Sequence, residues 1–154
     1  MKFEKTVVIT PNDNQTNIRL PFTLQRDFEQ LEILFNYGPA FATEEEALPV
    51  IMAVLPRYVK EEVTPEIARG YLPIENLVTV SLACARQYIG ARHTKDRNQT
   101  IVLSASAASL GFVPFPVCAG EWELQLNVHN NCSPELTAHV RVAATGGTNE
   151  TIRR

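Results

Sequence analysis

Imidazoles and thiols are the side chains best suited to hold a metal or attack a substrate near neutral pH, and this sequence carries few of either. Its histidines, His93, His129 and His139, are far apart, and its cysteines, Cys84, Cys118 and Cys132, form no C-x-x-C pair. Metal sites need such ligands clustered at characteristic spacing, so the expectation is no metal and no cofactor. Three cysteines cannot all pair within one chain, and they read as small buried hydrophobes rather than as a disulfide framework. Ser104, Ser106 and Ser109 lie in a run of small residues with no G-x-S-x-G elbow around them. The phosphate-cradling patterns G-x-x-x-x-G-K-[ST] and G-x-G-x-x-G are absent as well. What remains is a polar stretch holding Tyr88, Arg92, His93, Lys95, Asp96 and Arg97. Within it, Tyr88, Arg92, His93 and Arg97 are the candidate ligand-binding residues, with Arg92, Arg97 and His93 able to hold a small anionic or sugar-like ligand and the tyrosine ring to stack on it.

The elements that would position these residues are read from hydrophobic period. Lys5 to Thr10 is β-branched and is stopped by Pro11-Asn12-Asp13-Asn14, which favours a strand and then a turn. Ile18, Leu20, Phe22 and Leu24 then alternate with polar residues, as in a strand with one buried face. Pro21 removes a ladder donor, so that strand belongs at a sheet edge, or its outer half lies beside a break. Leu31 to Tyr37, Leu77 to Leu82 and Thr100 to Ser104 add further strands. Between Gly111 and Val117 the glycine and two prolines forbid a regular element, and Phe112, Val113 and Phe115 are expected to pin a loop to the core. Trp122, Leu124, Leu126 and Val128 alternate cleanly, as do Leu136, Ala138, Val140 and Val142, which reads as a C-terminal hairpin with His129 and His139 on its polar face. Residues 43–63 differ: Thr43 with Glu46 forms a capping box, and Leu48, Ile51, Met52, Leu55 and Val59 recur at helical spacing. Pro49 and Pro56 predict a kink or break near Leu55.

About seven strands with one helical insertion at 43–63 predict a mostly β, two-layer antiparallel sandwich of the jelly-roll or immunoglobulin-like kind. Residues 1–144 form its single domain, and 145–154 are expected to be a tail. Hydrophobic residues make up 45% of the 154 and charged residues 20%, enough apolar surface for a globular core. With 14 basic against 17 acidic residues there is no field to attract a phosphate backbone, so nucleic acid is not an expected partner. The opening MKFEKTVVIT alternates charged and apolar residues where a signal peptide needs an apolar run of about 7 to 15. No stretch approaches the roughly 20 apolar residues of a membrane span; a soluble, cytoplasmic protein is the expectation. The sequons at Asn14, Asn98, Asn131 and Asn149 then read as polar turns.

Taken in order, L-V-T-V-S-L, Y-I-G-A-R-H, I-V-L-S-A-S-A-A-S-L-G-F-V-P and A-G-E-W-E-L-Q-L-N-V-H resemble the non-catalytic N-terminal β-sandwich that precedes PHP-type metal-dependent phosphoesterase domains. The opening T-V-V-I-T-P, I-R-L-P-F-T-L and L-E-I-L-F-N-Y are similar to the start of the same module, so the resemblance covers most of the chain. It implies an accessory module, because the family's chemistry belongs to a following domain with His- and Asp-rich motifs that this sequence lacks. The leading expectation is therefore a non-catalytic binding or protein-interaction module, with an unknown protein, a small molecule or a sugar as partner. Homodimerisation through an edge strand is also open. Two alternatives stand beside it. One is a carbohydrate-binding sandwich with a platform among Tyr88, Trp122, Phe112 and Phe115; the other is a hydrolase with a dispersed site at His93 or at His129 and His139.

Overall fold

The computed structural model describes residues 1–147. Eight strands form: β1 (Lys2–Ile9), β2 (Thr16–Leu24), β3 (Gln30–Gly38), β4 (Leu77–Cys84), β5 (Gln87–Arg92), β6 (Asn98–Ser104), β7 (Gly120–Asn130) and β8 (Leu136–Thr145). They build two four-stranded antiparallel sheets, ordered β1-β8-β3-β6 and β2-β7-β4-β5. The pairing is nested, β1 with β8, β2 with β7, β3 with β6 and β4 with β5, as if one long hairpin had been rolled across two layers. That is the topology of an eight-stranded jelly roll.

Alternation along each strand makes the core. Leu20, Phe22 and Leu24 of β2 and Trp122, Leu124, Leu126 and Val128 of β7 face Leu31, Ile33 and Phe35 of β3 and Val140 and Val142 of β8. Of the two placements open to Pro21, the edge is the one found: β2 pairs only with β7.

The C-terminal hairpin expected from the sequence does not form. β7 lies in one sheet and β8 in the other, so Asn130 to Glu135 is a crossover between layers. Both strands still bury every second side chain, but against each other across the core rather than side by side. The crossover is tied down by polar side chains. Cys132 N donates to Asn76 Oδ1 at 2.9 Å, Ser133 N to Asn131 Oδ1 at 3.0 Å, and Asn131 Nδ2 to Ile9 O at 3.2 Å.

The connection from β3 to β4 carries helix α1 (Glu44–Val54) and a second helix, α2 (Pro65–Arg69), which sequence period did not reveal. Glu46 N donates to Thr43 Oγ1 at 3.2 Å and Thr43 N to Glu46 Oε2 at 2.9 Å, the expected capping box. α1 stops at Val54 and gives way to a 3₁₀ turn at Leu55–Arg57, where Pro56 forbids a further helical donor. Ala42, Ala47, Ile51, Leu55 and Ala68 form a small satellite core beneath these helices. Among the described residues no helix is long and apolar enough to cross a membrane. Thr145, placed in the expected tail, pairs with Gln30 at the end of β8; positions 148–154, with the sequon at Asn149, lie outside the described residues.

Candidate functional site

Nested pairing sends the β1–β2, β3–β4, β5–β6 and β7–β8 connections to one end of the sandwich, where the helices also lie. Loops gathered on a rigid scaffold are a favoured place for binding. A groove of about 490 Å³ opens there, within the roughly 300 to 1,000 Å³ typical of ligand sites. One wall is the outer face of α1 and its 3₁₀ extension, Val50, Val54 and Tyr58, with Ile51 and Leu55 at the base. The opposite side is Tyr71, Ile74 and Cys132, and Pro11, Asn14, Gln15, Asn130 and Asn131 close the end.

Pro49 and Pro56 bracket the segment that supplies Val50, Val54 and Leu55, and the salt bridge Arg69 Nε to Glu44 Oε1 at 2.9 Å joins α2 to the start of α1. Asn14 and Asn131 lock the far end reciprocally: Asn14 Nδ2 donates to Asn131 O at 3.0 Å, and Asn131 N donates to Asn14 Oδ1 at 2.8 Å. Tyr58 is 80% exposed and Tyr71 50%, with Val50 and Val54 near 40%. Large apolar side chains left together in water around a concavity mark a contact surface.

The lining holds no carboxylate, imidazole, ammonium or guanidinium. Cys132 is its one thiol, and burial pushes that group above its ordinary value, so it stays protonated.

The residues singled out from the sequence are spread along β5 and the connection that follows it. Tyr88 and Arg92 sit on β5, a strand where the sequence suggested a polar loop, and lie roughly 13 Å apart along it. Tyr88 is 67% exposed, opposite Ala83 on the outer face of its sheet. Arg92 is half-buried at the strand's end. His93 packs edge-on against His129 with ring centroids 4.8 Å apart, and His129 Nε2 is 2.7 Å from Thr79 Oγ1. Desolvation and the neighbouring His93 hold His129 below the usual histidine range. Arg97 lines a separate polar hollow of about 390 Å³ with Glu75, Lys95 and Asp96, in which Lys95 is already paired to Glu75 at 2.9 Å.

The two histidines expected on one hairpin face lie on different sheets. His139 is on β8, its Nδ1 3.0 Å from Thr6 Oγ1 of β1, while His129 is on β7. Of the proposed aromatic platforms, Trp122 is 1% exposed and Phe112 8%, and Phe115 packs against the core, so Tyr88 alone is free. Among the described residues no group of three or more His, Cys, Asp or Glu side chains could hold a metal.

The groove residues escaped sequence reasoning because Val50, Val54 and Tyr58 recur at helical spacing beside a stripe that reads as core, while Tyr71 lies in the turn that follows α2. The usable signal was excess: α1 carries more apolar surface than one side of so short a helix can bury. No protein-family model matches the chain, and no curated protein matches it either.

Proposed function

We propose that this chain is a non-catalytic interaction module, similar to the accessory sandwich of PHP-type phosphoesterases, whose helix-capped groove takes an apolar segment of a partner protein. The observation that carries this reading is the groove itself: an exposed apolar concavity, rimmed by Tyr58 and Tyr71, with no acid or base in its lining. Aromatic rings on a rigid surface are the usual anchors of protein contacts. Short peptides with aliphatic and aromatic residues one helical turn apart are the natural probe, titrated by calorimetry. Val54→Asp places a carboxylate in the apolar wall and is expected to weaken binding at least tenfold, about 1.4 kcal/mol, while Tyr88→Ala leaves it unchanged. Equal binding by wild type and Val54→Asp contradicts the reading.

One observation favours a second reading. The outer face of the β2-β7-β4-β5 sheet presents a hydrogen-bonded polar row, with Arg19 Nε donating to Glu123 Oε2 at 2.7 Å and Gln125 Nε2 to Glu123 Oε1 at 2.6 Å, and Tyr88 exposed at its margin. Polar side chains beside a free ring suit a sugar. Glycan-array binding that disappears in Tyr88→Ala supports this alternative, and an empty array removes it.

A further inference from the structure

Two thiols meet at the end of the sandwich opposite the groove. Cys84 closes β4 and is buried; Cys118 arrives in the connection from β6 to β7 and is half-buried. Their Sγ atoms are 3.9 Å apart, in contact but unbonded, whereas a disulfide needs about 2.0 Å. Cys132 lies across the molecule in the groove, so it is no competitor for either.

We propose that Cys84 and Cys118 are a modification site that closes to an intramolecular disulfide when the protein meets a small peroxide. The backbone around Cys118 allows the remaining approach. Its amide donates to Pro116 O at 2.9 Å and its carbonyl accepts from Trp122 Nε1 at 3.0 Å, which holds the residue over the end of β4. Gly120 follows two residues later at φ +128 with no atom within 4 Å of where a Cβ would stand, so the segment has room to turn.

Exposure sets the order of events. The half-buried Cys118 thiolate attacks the peroxide, the O–O bond breaks, and the sulfur is oxidised to a sulfenic acid with release of hydroxide (alkoxide from an organic peroxide). Cys84, already in contact, loses its proton and attacks that sulfur, so that an S–S bond forms as the sulfenic oxygen leaves as hydroxide. Each hydroxide takes up a thiol proton. With hydrogen peroxide the sum is two thiols and one peroxide to one disulfide and two waters. Cys84 never needs to meet the oxidant, which is how a buried thiol can take part. Burial, and then the neighbouring Cys118 thiol, push the Cys84 pKa up to about 12, so it stays protonated until that step.

The test treats the folded protein with dilute hydrogen peroxide, then denatures it and labels thiols with N-ethylmaleimide. Of the three free cysteines, only Cys132 is expected to label, and dithiothreitol restores the other two. The disulfide spans 34 residues of sequence, so the oxidised form is also expected to melt several degrees higher. In Cys118→Ser, peroxide leaves Cys84 labelled, and in Cys132→Ser no thiol labels after oxidation. Full labelling of all three cysteines after peroxide overturns the proposal. Recovery of Cys118 as a sulfinic acid with Cys84 still free, or a bond that includes Cys132, overturns it equally.

Discussion

Trp122 is the largest side chain in the core, lying 6.2 Å from the Phe22 ring and 5.9 Å from that of Phe115, with its indole N–H satisfied by Cys118 O. Trp122→Ala is expected to cost about 3 to 5 kcal/mol, read from the urea midpoint. His129 gives a pH dependence whose sign follows from its depressed pKa. The folded protein resists protonating it more than the unfolded chain does, so its contribution is complete above the ordinary value of 6.5 and is lost as pH falls through the lower folded value. Chemical denaturation across pH 7.5 to 5 is expected to show that loss in wild type and a shallower one in His129→Gln. Gly90 and Gly111 are required by close approach: a Cβ on Gly111, at φ +94, would collide with Ala91 O, and one on Gly90 with Gly111 O. The sequence showed Gly111 breaking regular structure, and Phe112 is buried as expected, yet Val113 points outward at 56% exposure. Alternation cannot tell which side of an irregular segment faces in.

At the scale of elements, buried faces were legible and partners were not. The alternating runs at Trp122 to Val128 and Leu136 to Val142 place the right side chains in the core. A hairpin and a crossover share that pattern, however, because both strands point apolar residues at the same core. The one hairpin among the described residues, β4 to β5, was hidden for the opposite reason. Its two turn residues, Ala85 at φ 47 and Arg86 at φ 67, occupy left-handed backbone where Asn-Gly is the usual signal. Replacing them by Asn and Gly is therefore expected to raise stability by about 0.5 to 2 kcal/mol, measured by denaturant unfolding. The capping box was legible because it is local: Thr43→Ala is expected to cost about 1 kcal/mol and to loosen the wall that carries Val50 and Val54.

At the scale of the whole molecule, each sheet margin carries a feature that discourages pairing with another chain. Lys2, Glu4 and Lys5 put charge on β1, Pro21 interrupts β2, and residues 107–115 bond back along β5 and the end of β6 through Ala91 N to Gly111 O, Val113 N to Ile89 O and Ser109 N to Val102 O. Light scattering is accordingly expected to give the monomer mass of 17.2 kDa. The exposed apolar surface is instead concentrated where four connections converge beside the helices, and a partner segment is the occupant we propose for it. An amide NMR titration with an apolar helical peptide measures this directly. Shifts confined to Val50, Val54, Tyr58, Tyr71 and Cys132 are the predicted result, whereas no shifts there, or a cluster around Tyr88 and His93, would contradict it.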